Sequence, residues 1–122
     1  MDELVARLVA NVGVDRVAAE KAVGIILDFL SKEGPPDKVQ SLIDKLPGAQ
    51  ALIQAQQAGE TGGGMFSMGG IMGAGTKMMA AGLSMGQVQG VTKEVIAYTR
   101  EKVGEDAIGE IVAAIPGLSQ FV

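Results

Sequence analysis

The stretch DRVAAEKAVGIILDFLSKEGPP, Asp15 to Pro36, decides the fold class. Its apolar residues recur every three or four positions, the period of an α-helix, rather than alternating as on a half-buried strand. Asp15 stands where a helix N-cap belongs. The spacing therefore predicts a helix over 16–33, with Val17 or Ala18, Ala19, Ala22, Val23, Ile26, Leu27 and Leu30 facing inward and Phe29 at one edge. Lys32 falls in the last turn, where a cation suits the negative end of the helix dipole. Gly34-Pro35-Pro36 then stops the helix, because proline lacks the N–H that would continue the ladder and restricts the residue before it.

Working outward, Leu4, Val5, Leu8, Val9 and Val12 share this spacing and predict an amphipathic helix over 3–12, ended by Gly13. Downstream, Asp37 with Gln40 three residues later resembles a capping box and opens a short helix whose buried face is Val39, Leu42, Ile43 and Leu46. Pro47-Gly48 breaks the chain again. A last helical stretch carries Ala49, Leu52 and Ile53.

The second half follows the same plan. A shift of 69 positions superposes Gly13–Ile53 on Gly82–Val122 without a gap. The identities are Gly13 with Gly82, Asp37 with Asp106, Pro47 with Pro116 and Gly48 with Gly117, all of them caps or breakers. Apolar positions match as well: Ile26 with Val95, Leu27 with Ile96, Phe29 with Tyr98, Leu42 with Ile111 and Leu46 with Ile115. Ser84 replaces Asp15 as the cap, and Gln87 completes a capping box there. Gly104 ends the second long helix much as Gly34 ends the first.

Between the two halves the composition changes. Residues 59–90 hold eleven of the eighteen glycines, and six of the seven methionines lie between 65 and 85. Gly62-Gly63-Gly64 has the backbone freedom of a linker. Beyond it, Met65, Met68, Met72 and Met79 fall on one helical face with Ile71 and Met78 nearby, which predicts a weak helix over 65–81. Met is flexible and polarisable, so this face suits either a core or an adaptable contact surface.

Composition narrows the chemistry. At 122 residues the chain has room for one domain or two small units sharing a core. It contains no Cys, His or Trp. That removes disulfides, thiolate nucleophiles, imidazole bases and the usual zinc ligands. Ten Lys plus Arg against fourteen Asp plus Glu leave a net charge of −4, the wrong sign for neutralising nucleic-acid phosphates. Hydrophobic residues make up 48% and charged residues 20%, below the common charged share of about 25%. The shortage of polar surface points to self-association or an apolar partner. The acidic start, Asp2-Glu3, lacks the basic region of a secretory signal, so a cytoplasmic location is expected.

Four local patterns invite a functional reading. Gly70-Ile71-Met72-Gly73-Ala74-Gly75-Thr76-Lys77 approaches a phosphate-binding P-loop, but Thr and Lys are exchanged and no strand precedes it. Gly69 and Gly73 have the spacing that lets membrane helices approach closely, although Lys77 interrupts the uncharged run. Glu101, Glu105, Asp106 and Glu110 offer oxygen ligands for Ca²⁺ or Mg²⁺, yet without EF-hand spacing they read as a cap and solvated helix faces. Ser31, Ser41, Ser67, Ser84, Ser119 and Tyr98 form no recognisable nucleophile motif.

Gly13-Val14-Asp15, Leu46-Pro47-Gly48 with Leu52-Ile53, Gly62-Gly63-Gly64, Gly82-Leu83-Ser84 and Ile115-Pro116-Gly117 together cover most of the chain. In this arrangement the chain resembles small bacterial all-helical proteins of unknown function of the VcgC/VcgE type. The resemblance implies no catalytic residues.

The expected architecture is all-α: two tandem helical repeats, 1–58 and 77–122, packed as one bundle and joined by a Gly/Met-rich segment, 59–76. The expected function is a non-enzymatic interaction module that forms a homodimer and uses no metal or cofactor. Its contact residues would be Met65, Met68, Ile71, Met72, Met78 and Met79. Membrane association through the Gly/Met-rich segment, or a small apolar ligand between the repeats, are the alternatives.

Overall fold

A computed structural model of the chain describes residues 2–46, 48–58 and 70–115, and side chains within these at 3–46, 48–54 and 75–115. The described residues form an all-α bundle of seven helices, with no strand among them. In chain order these are α1 (Asp2–Asn11), α2 (Arg16–Glu33), α3 (Pro36–Asp44), α4 (Ala49–Ala58), α5 (Gly70–Ala80), α6 (Met85–Val103) and α7 (Glu105–Ala114).

Helix α2 is the axle. It packs against α1, α3, α4, α5 and α6, and every residue from Ala22 to Leu30 is buried. A helix apolar nearly all round has no solvent face to offer and must be enclosed. The inward stripe read from sequence is thus too narrow. Ile25 and Asp28 are buried too, while Val17 at the solvent end of the helix is 62% exposed and Ala18 is half-buried. Asp28 is held in the interior by Lys32 one turn on, with Nζ to Oδ2 at 3.0 Å.

Helix α6 is amphipathic in the ordinary way. Val88, Val91, Val95, Ile96 and Tyr98 are buried, together with Thr92 and Thr99. The two buried hydroxyls donate back to the carbonyls of Val88 and Ile96, at 2.9 and 2.8 Å, so neither is left without a partner. Helix α1 buries Leu4, Val5 and Leu8 against α2 and α6, but Val9, expected on the same stripe, is 40% exposed.

The cross-packing is reciprocal: α1 contacts both α2 and α6, and α5 contacts both α6 and α2. Ile26, Leu27, Phe29, Leu42, Ile43 and Leu46 from the first half and Val95, Ile96, Tyr98, Ile108, Ile111 and Ile115 from the second are all buried in one core.

Local signals set most helix ends. Gly13 and Gly82 follow α1 and α5 with φ of +83° and +107°, a backbone that a side chain would strain. The Ser84 hydroxyl accepts from the Gln87 N–H at 3.3 Å, and the Ser84 N–H donates to Gln87 Oε1 at 2.9 Å, giving the expected capping box. Ser84→Ala is expected to cost about 1 kcal/mol, read as a lowered midpoint in urea unfolding. Two other expected caps differ. Asp15 occupies the N-cap position of α2 but its side chain makes no capping bond. Helix α3 starts earlier than expected, capped by Pro35, so Asp37 lies in its first turn and Gln40 instead donates to Asp44 at 3.0 Å. Proline's fixed φ suits the entry to a helix and makes the side-chain cap unnecessary.

Candidate functional site

Of the six expected contact residues, Met65 and Met68 lie outside the described residues. Ile71 and Met72 fall within α5, where only the backbone is described. Met78 and Met79 are consecutive on α5 and meet opposite environments: Met78 is 2% exposed in the core, and Met79 is 47% exposed. One residue is a turn of roughly 100° on a helix, enough to separate core from surface. Met85, in the first turn of α6, is 59% exposed, so the α5–α6 corner carries a second surface methionine that the sequence reading did not single out. Its position directly after the Ser84 cap was the available signal.

The segment from Gly70 to Lys77 is helical throughout. A P-loop needs a glycine-rich loop ahead of the helix, and here the glycines, Thr76 and Lys77 lie inside the helix itself. The acidic residues near α7 are spread among separate tasks. Glu101 pairs with Arg7 at 2.8 Å, Glu110 pairs with Lys38 at 2.8 Å, and Glu105 and Asp106 sit in the first turn of α7, where negative charge suits the helix dipole. Among the described residues no group of three or more His, Cys, Asp or Glu side chains gathers to hold a metal. Among them, too, no helix is long and apolar enough to cross a membrane.

The hydrogen bond to Glu110, followed by its charge, raises the Lys38 pKa above the ordinary 10.5. A raised folded-state pKa gives a contribution that is complete below 10.5 and fades as pH climbs through the folded value. Both partners are exposed, so the effect is small. Melting curves taken on either side of pH 10.5 should show a slight loss that Lys38→Met lacks.

A denser polar arrangement lies where α1 meets α6. Arg7 on α1 reaches Glu101 at 2.8 Å and stands 3.5 Å from Glu94, with its guanidinium carbon 5.6 Å from the centre of the Tyr98 ring. Lys102 Nζ approaches the same ring to 5.2 Å. The hydrogen bond that Arg7 donates to Glu101 raises the Arg7 pKa above its ordinary value. Tyr98 is 4% exposed, so its ring serves both the core and two cations.

Toward the C-terminal end of α1, this region opens into a cleft of about 250 Å³. Asn11 and Val12 form one wall, and Gly86, Gly90, Lys93 and Glu94 of α6 form the other. Gln87 also lines it, with both ends of its amide engaged: Oε1 accepts from the Ser84 N–H, and Nε2 donates to the Gly13 carbonyl at 3.4 Å. Glu94 Oε2 is buried without a hydrogen bond, its nearest cation being Arg7 at the 3.5 Å already given. The sequence reading did not identify this cleft, because its residues come from helices far apart in the chain and form no contiguous motif.

Compared with known proteins, the chain matches no family model, and neither a curated protein nor a solved structure is similar to it.

Proposed function

We propose that this chain is a non-enzymatic helical interaction module built from two tandem copies of one helical unit, and that it associates with a second copy of itself through the methionine-bearing face around α5. The observation that carries the self-association is the exposure of Met79 and Met85, at 47% and 59%, on a chain already short of polar residues. Large flexible apolar side chains on the surface favour a contact that covers them. A two-fold dimer is the simplest closed form.

Several coincidences at the same 69-residue shift support the tandem reading. Helix α2 begins at Arg16 and α6 at Met85; α3 begins at Pro36 and α7 at Glu105. Gly13 and Gly82 share positive φ, and Val14 and Leu83, which follow them, are both buried. Where Val23 and Leu30 are buried in α2, Thr92 and Thr99 are buried in α6. The absence of His and Cys supports a non-enzymatic role by removing the commonest bases and nucleophiles.

Light scattering on the full chain is expected to give a dimer that the double variant Met79→Gln, Met85→Gln converts to monomer with an unchanged helical spectrum. A monomer at high concentration overturns the proposal, as does a dimer indifferent to both substitutions. Flotation with anionic liposomes would instead identify the face as membrane-binding.

A further inference from the structure

We infer that Met79 and Met85, on either side of the α5–α6 corner, form an oxidation site for hydrogen peroxide, and that sulfoxide formation there separates self-associated copies while leaving the bundle folded. The site rests on exposure and composition; the separation rests on the self-association proposed above. The chain has no Cys, His or Trp, and Tyr98 is 4% exposed, so thioethers are the oxidisable groups that peroxide meets. Met79 and Met85 stand open to solvent, whereas Met78, next in sequence to Met79, is sealed in the core. Oxidation follows access, and only the outward pair offers it.

The reaction is an oxygen transfer. A lone pair of the thioether sulfur attacks one peroxide oxygen, the S–O bond forms as the O–O bond breaks, and hydroxide leaves. Hydroxide then takes the proton carried by the transferred oxygen, giving sulfoxide and water. Sulfur is oxidised and peroxide reduced. A flexible apolar side chain becomes a polar one, which weakens a methionine-lined contact.

The corner between the two residues is held by groups that this chemistry does not touch. Leu83 is buried, and its N–H donates to the Met78 carbonyl at 3.2 Å. The Ser84–Gln87 capping box opens α6 directly before Met85. An oxygen added to Met79 or Met85 enters solvent, so it avoids the cost of burying a polar group without a hydrogen bond. Nor does a helical corner in this bundle require methionine. At the 69-residue shift, the α1–α2 corner carries Ala10 and Arg16, both exposed and neither oxidisable in this way.

The test treats the full chain with substoichiometric hydrogen peroxide, maps sulfoxide at every methionine by peptide mass spectrometry, and separates monomer from dimer by size-exclusion chromatography with light scattering. Met79 and Met85 are expected to oxidise about tenfold or more faster than Met78, with an unchanged helical circular dichroism spectrum. The monomer fraction should carry sulfoxide at these two positions and the remaining dimer should lack it. Methionine sulfoxide reductases acting on both epimers, with dithiothreitol oxidised to its disulfide in turn, should restore the dimer. Equal oxidation of Met78 and Met79 overturns the site. A dimer that persists with both sulfoxides in place overturns the switch, as does a monomer marked by sulfoxide at other methionines instead, or one that has lost its helical signal. A chain already monomeric before peroxide is added overturns the self-association reading and the switch with it, while the mapped selectivity still decides the site.

Discussion

Leu27→Ala is expected to lower the unfolding free energy by about 2–5 kcal/mol, because it removes a large side chain where neighbouring helices cannot close the space. Leu27 is fully buried on α2, the helix that five others pack against. A relaxed surface site would collapse around the loss; a helix fixed on all sides keeps the cavity. The melting temperature should fall by about 10 °C or more for a chain of this size. Val17→Ala provides the contrast. Both residues belong to the apolar stripe read from sequence, but Val17 is 62% exposed, so its truncation should stay within about 0.5 kcal/mol. Equal losses from the two would contradict the enclosure of α2. Thermal unfolding followed by circular dichroism makes the comparison.

Gly34→Ala is expected to destabilise by about 1–3 kcal/mol through overpacking. Gly34 has φ of −90°, which any residue accepts, so conformational freedom is not the reason. Space is. A Cβ there would lie 2.8 Å from the Leu30 carbonyl oxygen and 3.0 Å from Val39 Cγ2, with Ile111 Cγ2 behind at 3.6 Å. The Leu30 oxygen is backbone and already accepts from the Gly34 N–H at 2.8 Å, so it cannot step aside. Gly104 ends α6, as Gly34 ends α2, but for the opposite reason. Its φ is +94°, and nothing lies within 4 Å of a built Cβ. Gly104→Ala should therefore cost about 1 kcal/mol or more through backbone strain alone. A smaller neighbour, Val39→Ala, should soften the penalty of Gly34→Ala and leave that of Gly104→Ala unchanged, which a double-mutant cycle measures.

The two glycines mark how far a sequence reading extends. Both announce a helix end, and both helices end there. Nothing in the residue order distinguishes a glycine needed for its φ from one needed for room, since the room is set by Val39 and Ile111 on other helices. The caps divide similarly. Ser84 with Gln87 is a contiguous device and was legible; Asp37 with Gln40 has the same form but is displaced because Pro35 and Pro36 begin the helix first. For the candidate site, the methionine pattern located α5, yet only the packed bundle separates buried Met78 from exposed Met79. The α1–α6 cleft was not legible at all, because Asn11 and Glu94 are brought together by the packing of two long-separated helices.

What the residue order determined by itself is the all-helical class and the approximate extent of each helix, since a 3.6-residue period, caps and breakers act within a few positions of themselves. What only the tertiary structure decided is how many sides of each helix are covered. An apolar stripe reports that one face seeks shelter, but the number of neighbours around α2, the exposure of Val17 and the open space beside Gly86 depend on where other helices come to rest. That placement is fixed by close packing among residues distant in the chain, and no local pattern encodes it.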